Sequence, residues 1–222
     1  GLFAIAIIGA SALLADGILT PSITIVSAVE GLKFQYQNLE ILPIALLIVA
    51  AIFLIQQFGT AAIGSSFGPI MFLWFTMISI LGLIQVFHFP AILQAFNPYY
   101  AVQLISSHPH SLLLLGAVFL CTTGAEAIYS DLGHCSIRDI RVGWIFVKTA
   151  LLLSYLGQGA WIILHPQLSG HYVNPFFAIM PWWFLPFGVL LATVAAIIAS
   201  QALISASFTL VSEAIQLSLW PK

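Results

Sequence analysis

Two acidic residues of this sequence lie inside long apolar runs, where a charge is costly. Asp16 is the midpoint of ASALLADGILTPSITIV, and Glu126 lies in LCTTGAEAIYSD. An ionised carboxylate at the centre of a bilayer costs about 2.5–3.5 kcal/mol even on the lenient insertion scale. No Lys or Arg of this chain is expected at matching depth. We therefore expect a proton, a bound cation or a residue from another segment to neutralise each acid.

Hydroxyl groups accompany Asp16 along one helical stripe. Thr20 and Thr24 follow at i+4 and i+8, so a helix that continues through Gly17 and Pro21 aligns three oxygen-bearing side chains. A row of oxygen ligands suits a hard alkali cation. Two other interpretations stay open: the threonines hydrogen-bond to carbonyls one turn back, or Asp16 caps a helix break at Gly17.

The second acid follows a sequence that weakens a helix. Thr122 and Thr123 are β-branched, and Gly124 comes directly before the Ala-Glu pair that contains Glu126. A helix break at mid-membrane is tolerated only where the irregular backbone lines a cavity. Backbone carbonyls, Thr123 and Glu126 would then face an ion path. The alternative is an unbroken helix in which Glu126 stays protonated and hydrogen-bonds to a neighbour.

The composition indicates that lipid surrounds the elements that position these residues. Of 222 residues, 61% are hydrophobic and 5% are charged, with a mean hydropathy of +1.11. Soluble proteins have about 25% charged residues. The absence of a basic run argues against nucleic acid as a partner. Cys121 and Cys135 offer no disulfide framework.

Long apolar runs predict an all-α, polytopic membrane helical bundle, with one transmembrane domain over residues 1–222. The predicted crossings are about residues 2–29, 41–56, 67–89, 111–130, 142–164 and 184–219. Residues 90–107 are too polar, and too broken by Pro90 and Pro98, to cross. They are predicted to form a short interfacial helix. Because the chain begins at Gly1 without an initiator Met, we expect it to be an internal piece of a longer membrane protein.

Positive charges predict an orientation for these crossings. If the segments alternate, Arg138, Arg141, Lys148 and Lys222 lie on one side, and Lys33 lies on the other. The side richer in Lys and Arg is expected to be cytoplasmic.

Motifs typical of enzymes and metal centres are weak here. Residues 64–68, GSSFG, match the hydrolase pattern G-x-S-x-G, but they lie between membrane segments and not between a strand and a helix. The six His residues follow no metal-binding spacing. No nucleophile and base can be assembled, so we do not expect an enzyme.

Several stretches, in order, resemble the KUP/HAK/KT potassium transporters. The most specific are TGAEAIYSDLGHCSIRDIRVGW (123–144) and LLLSYLGQGAW (151–161), supported by ADGILTPSITIVSAVEGL (15–32), FGTAAIGSSFGPIMFLWF (58–75) and ATVAAIIASQALISASFTLVSEAIQL (192–217). FNPYYAV (96–102) and NPFF (174–177) fit as well. In one departure, QQFGTAAIGSSFGPIM lacks the Lys and Arg that relatives usually carry there.

The resemblance implies potassium uptake across the cell (plasma or inner) membrane, generally coupled to protons. It implies the inverted-repeat, LeuT-like fold of the amino acid, polyamine and organocation superfamily, of which this chain would contain the third to eighth helices. Potassium is then the only metal, no cofactor is needed beyond potassium and the proton as substrates, and a homodimer is left open. The family's potassium-contacting positions fall on Asp16, Thr20, Thr24, Thr123 and Glu126.

A buried acid that exchanges a proton for a cation is a natural coupling element, and we expect this role for Glu126 first and Asp16 second. Two other functions stay open. An amino acid transporter of the same fold would use bare helix ends to hold a carboxylate, which these two acids would repel. A non-transporting membrane sensor or scaffold subunit would use the acids only as buried polar links between helices.

Overall fold

The computed structural model describes residues 2–36, 38–56, 61–107, 109–120, 137–168 and 173–216. The α-helices of these ranges are α1 Leu2–Val29, α2 Ile41–Gln56, α3 Ala61–His88, α4 Pro98–Ser107, α5 Ser111–Leu120, α6 Ile137–Leu164, α7 Pro175–Ala178 and α8 Leu185–Gln216. Short 3-10 helices cover Glu30–Phe34, Pro90–Phe96 and Pro166–Leu168. All regular structure in the described part of the chain is helical, which confirms the predicted all-α class.

Four helical stretches among the described residues are long and apolar enough to cross a membrane. They are Ile7–Phe34, Ser66–His88, Ile137–Leu164 and Leu185–Gln216. At 1.5 Å per residue, the 28 residues of α6 extend about 42 Å, against a hydrocarbon thickness of about 30 Å. Helices of this length either tilt or project beyond the lipid.

Two helices begin before the apolar runs that predict them. α3 begins at Ala61 and not near residue 67, and α6 begins at Ile137 and not near residue 142. The additional turns contain Gly64 in α3 and the charged Arg138 and Arg141 in α6. Polar residues are compatible with a helix outside the hydrocarbon, so hydropathy locates the lipid-spanning part and misses the projecting end.

The segment between α3 and α5 contains two helical pieces where the sequence predicts one. A 3-10 helix covers Pro90–Phe96, and α4 begins at Pro98. Asn97 between them has extended backbone, because a residue before proline is disfavoured in the helical region. Its side-chain Oδ1 accepts a hydrogen bond from the Tyr99 N–H at 3.0 Å and so caps α4.

One compact unit comprises the described residues of Gly1–Trp74 and Met180–Lys222. In it, α1 packs along α8, and α2 contacts both helices. Ile25 and Val29 of α1 are almost completely buried in this unit. The side of α8 that is buried contains small residues, which let two helices approach closely. Among them are Ala192, Ala195, Ala196 and Ser200.

The second unit comprises the described residues of Phe75–Ile179. In this unit the backbones of α3 and α6 are in direct contact at Gly82. A Cβ atom on Gly82 would overlap the carbonyl group of Leu153. The buried residues of α6 are small or polar, namely Ala150, Ser154, Gly157 and Ala160. Close approach of this kind supplies the van der Waals packing that holds membrane helices together.

Candidate functional site

Helix α1 continues through Gly17 and Pro21 without interruption. Asp16, Thr20 and Thr24 therefore lie at successive turns along one face, and all three are half-buried. The alternative in which Asp16 caps a helix break at Gly17 is wrong, because no break occurs there.

Pro21 changes the hydrogen bonding of α1 beside the acid. Proline has no N–H, so the Gly17 carbonyl lacks the donor that residue 21 would provide in a regular helix. Glycine at position 17 also has no Cβ that would add to the crowding of this turn. A backbone oxygen without its usual helical donor thus lies one residue from the Asp16 carboxylate.

The Asp16 carboxylate has one oxygen that is hydrogen-bonded and one that is not. The Thr20 hydroxyl donates to Asp16 Oδ1 at 2.5 Å, so Thr20 bonds the acid and not a carbonyl one turn back. Asp16 Oδ2 is buried and has no hydrogen-bond partner among the described residues. A buried, unpaired carboxylate oxygen is unfavourable. This arrangement leaves a position for a proton or a cation.

Helix α8 closes one side of this stripe. Gly17, Pro21 and Ile25 are buried next to the three oxygen-bearing residues, on the side of α1 that packs in the unit. A Cβ atom on Gly17 would overlap Oγ of Ser207 and lie 3.2 Å from its Cβ. The glycine therefore permits a close approach of α1 and α8 directly beside Asp16.

Sequence reasoning missed the polar residues that α8 contributes to this unit. Ser200 and Gln201 are buried, and the Ser200 Oγ has no hydrogen-bond partner among the described residues. Ser207, two turns further on the same face, donates to the Leu203 carbonyl at 3.0 Å. The available signal was the group of small polar residues in the otherwise apolar stretch ASQALISAS.

The other predicted ligands, Thr123 and Glu126, lie in residues 121–136, outside the described part of the chain. The structure therefore brings together Asp16 and Thr20, with Thr24 one turn further along the same face.

A metal site built from several acids or imidazoles is not found among the described residues, which contain no group of three or more His, Cys, Asp or Glu. The ring of His165, at the end of α6, stacks on Trp161 with centroids 4.6 Å apart. Its Nδ1 lies 2.9 Å from the Trp161 carbonyl oxygen. Because a carbonyl only accepts, this contact is a hydrogen bond in the tautomer whose Nδ1 carries the proton.

The side-chain oxygens of Asp16, Thr20 and Thr24 suit a monovalent cation better than a divalent one. The face of α1 offers one carboxylate and two neutral hydroxyl groups. One negative charge balances one positive charge, whereas divalent ions in proteins usually collect several carboxylates.

Comparison with known proteins shows the family of this chain. The family described as the K+ potassium transporter integral membrane domain matches residues 1–222, the whole chain. The chain belongs to the K+ potassium transporter family. The resemblance to the KUP/HAK/KT transporters is thereby confirmed, and the long apolar helices are membrane-spanning helices of a multi-pass protein.

Members of the family from several bacteria are similar to this chain. The probable potassium transport system protein Kup of Flavobacterium johnsoniae is 56% identical over an alignment of 225 positions. The alignment covers 98% of this chain and 34% of that protein. The proteins of the same name from Flavobacterium psychrophilum and Cytophaga hutchinsonii are each 54% identical, with the same coverage. The chain thus spans about a third of the length of these relatives. No solved structure matches it.

Proposed function

We propose that the protein containing this chain takes up potassium ions across the cell membrane. The observation that carries this proposal is the half-buried Asp16 carboxylate of α1, with one oxygen bonded to Thr20 and the other buried without a described partner. The family membership and the potassium transport named for the relatives support it.

In this proposal Asp16, Thr20 and Thr24 are potassium ligands. The resemblance adds Thr123 and Glu126 as further ligands. The cation needs no further cofactor, because it is the substrate. The protein is accordingly a transporter and not an enzyme.

Proton coupling is part of the proposal for an energetic reason. Accumulating a monovalent cation a hundredfold costs about 2.8 kcal/mol, at 1.4 kcal/mol per tenfold. A membrane potential of 100 mV returns roughly 2.3 kcal/mol per charge, slightly less than this cost. Moving one proton with each potassium ion about doubles the electrical driving force. Glu126, and Asp16 as second choice, would carry that proton.

The inverted-repeat, LeuT-like fold is the architecture that we propose for the whole protein. The resemblance implies that the third and eighth helices of such a fold, here α1 and α8, are related by the repeat. One feature supports this assignment for α1 and α8: the two helices pack against each other.

The proposal is tested by the variant Asp16→Asn in the full-length protein. We expect rubidium uptake by potassium-uptake-deficient cells to fall at least tenfold, because a charged ligand is lost and bonds to charged groups contribute about 1.5–3 kcal/mol. Ser22→Ala is the matched control. Ser22 is exposed on the same helix, and its hydroxyl donates to the Ile18 carbonyl at 3.3 Å. Equal uptake by the two variants would contradict the assignment of Asp16.

Two other functions predict different results for the unaltered protein. An amino acid transporter would show a substrate current that is independent of potassium. A sensor or scaffold subunit would not restore growth of the deficient cells in low potassium. Either result would replace potassium uptake as the function.

A further inference from the structure

The start of α6 carries a group of charges that the potassium site does not use. Three of the five Lys and Arg residues of the chain, Arg138, Arg141 and Lys148, lie within the first twelve residues of this helix. All three side chains are exposed in the described part of the chain. Trp144 lies among them and is 36% exposed. We refer to these four residues as the basic-aromatic cluster.

The four residues share one side of α6. At 100° per residue, positions 138, 141, 144 and 148 fall on one side of the helix, and Asp139 falls on the other. The Lys148 ammonium group lies 5.0 Å from the centroid of the Trp144 ring, a cation–π contact. No carboxylate among the described residues forms an ion pair with the three cations. The cluster is therefore a positively charged surface with no anionic partner in the described chain.

The length of α6 places the cluster at the edge of the lipid. Counting about 20 residues back from Leu164 for one crossing puts the hydrocarbon boundary near Ile145. Arg138 and Arg141 then lie at headgroup depth, and Trp144 lies at the boundary. Lys148 lies one turn inside the hydrocarbon. Its ammonium group extends back over Trp144 toward the start of the helix, as expected for a lysine that reaches for the headgroups.

The same side of α6 also carries exposed apolar side chains, one before and one after Lys148 along the helix. Ile145 and Leu152 are 68% and 50% exposed and continue the side on which the cluster lies. A charged end followed by an apolar stretch matches an amphiphile lying along the helix. Guanidinium groups pair with phosphate through two hydrogen bonds, and the start of a helix also favours an anion.

We propose that the basic-aromatic cluster binds the headgroup of an anionic phospholipid, with the phosphate on Arg138 and Arg141 and the acyl chains along Ile145 and Leu152. Lys148 and Trp144 lie at the depth where the lipid headgroup joins its acyl chains. Basic groups next to a membrane helix attract anionic lipid in this way. The binding is independent of the potassium site on α1.

The first test counts bound lipid on the full-length protein. Purified protein is reconstituted in nanodiscs of phosphatidylcholine with one-fifth phosphatidylglycerol, and the lipids that stay bound are measured by native mass spectrometry. The variant Arg138→Gln/Arg141→Gln/Lys148→Gln should retain at least tenfold less phosphatidylglycerol, given about fivefold per basic residue near a membrane surface. Lys33→Gln, which removes an exposed cation from another helix, should retain as much as the unaltered protein. Equal retention by the triple variant and the unaltered protein would overturn the proposal.

A second test leaves all three cations in place, so its result does not depend on whether the triple variant folds. A benzophenone amino acid in place of Ile145 is irradiated in the same nanodiscs, and the cross-linked product is identified by mass. Cross-linking to phosphatidylglycerol in excess of its one-fifth share supports the lipid site. Cross-linking to another segment of the protein, to a second copy, or to both lipids in proportion to their abundance would overturn it.

Discussion

The hydroxyl group of Thr20 has a different hydrogen-bond acceptor from the hydroxyl groups of Thr149 and Thr193. Thr149 in α6 and Thr193 in α8 each donate to a carbonyl one turn back, at 2.8 Å, as hydroxyl groups in membrane helices commonly do. Thr20 donates to the carboxylate of Asp16 instead. Because the hydroxyl gives its one proton to the acid, it holds the carboxylate in place, and its lone pairs stay available to contact a cation.

We predict that Thr20→Val weakens cation binding, because it removes this hydroxyl at nearly constant volume. A bond to a charged group contributes about 1.5–3 kcal/mol, so the KM for rubidium uptake by the full-length protein should rise about tenfold or more. Thr20→Ser should restore most of the affinity. Thr193→Val is the control, since its hydroxyl bonds only a carbonyl. A KM for Thr20→Val that equals the control would show that the hydroxyl does not contribute to the site.

At the scale of helices, Gly17 determines how closely α1 and α8 approach. Any side chain at this position would overlap the hydroxyl of Ser207. Gly9, on the same helix, has no atom of the described residues within 4 Å of the position its Cβ would take. Substitutions at Gly17 and Gly9 therefore distinguish two effects on stability. One is the contact with α8, and the other is the low helix propensity of glycine itself.

We predict that Gly17→Ala destabilises the full-length protein by about 1–3 kcal/mol, the usual cost of overpacking. Thermal melting in detergent measures this loss. Gly9→Ala should leave the melting temperature unchanged or raise it, because alanine favours a helix. Adding Ser207→Ala to Gly17→Ala should recover part of the stability, since the overlapping hydroxyl is gone and alanine favours the helix. Failure of this rescue would mean that Ser207 does not limit the approach.

The sequence predicts those features that depend on one helix alone. The i, i+4 spacing predicts that Asp16 and Thr20 share one face of α1, and it leaves open whether Thr20 bonds the acid or a carbonyl one turn back. Apolar runs predict the end of a helix correctly where that end coincides with the edge of the hydrocarbon. They miss the first turn of α6, which contains Arg138, because a helix outside the lipid needs no apolar residues.

Features that depend on two helices are not predictable in this way. The contact between Gly17 and Ser207 joins residues far apart in sequence, and nothing in either local pattern selects the other. The buried Ser200 shows the same limit. A serine in an apolar helix can bond its own backbone, so only the packing of α8 shows that its hydroxyl lacks a partner among the described residues.

At the scale of the whole molecule, one carboxylate on α1 is a small part of the proposed potassium site. The chain spans about a third of the length of its relatives, and a potassium ion usually needs more oxygen ligands than one helix face offers. We therefore expect Thr123, Glu126 and segments beyond this chain to complete the site. For this reason each transport experiment uses the full-length protein.

The proposed coupling of potassium to protons would be a property of the whole molecule, and Glu126 is the residue through which we test it. Lowering the external pH by one unit adds about 1.4 kcal/mol to the inward proton gradient, so coupled rubidium uptake should increase in the unaltered protein. Glu126→Gln cannot release and regain a proton, so its remaining uptake should no longer respond to external pH and should carry no proton influx. Asp16→Asn is the comparison: it should lose affinity for rubidium while the uptake that remains keeps its pH response. If Glu126→Gln still moves protons with rubidium and Asp16→Asn does not, Asp16 carries the proton, and α1 provides both the charge and the coupling.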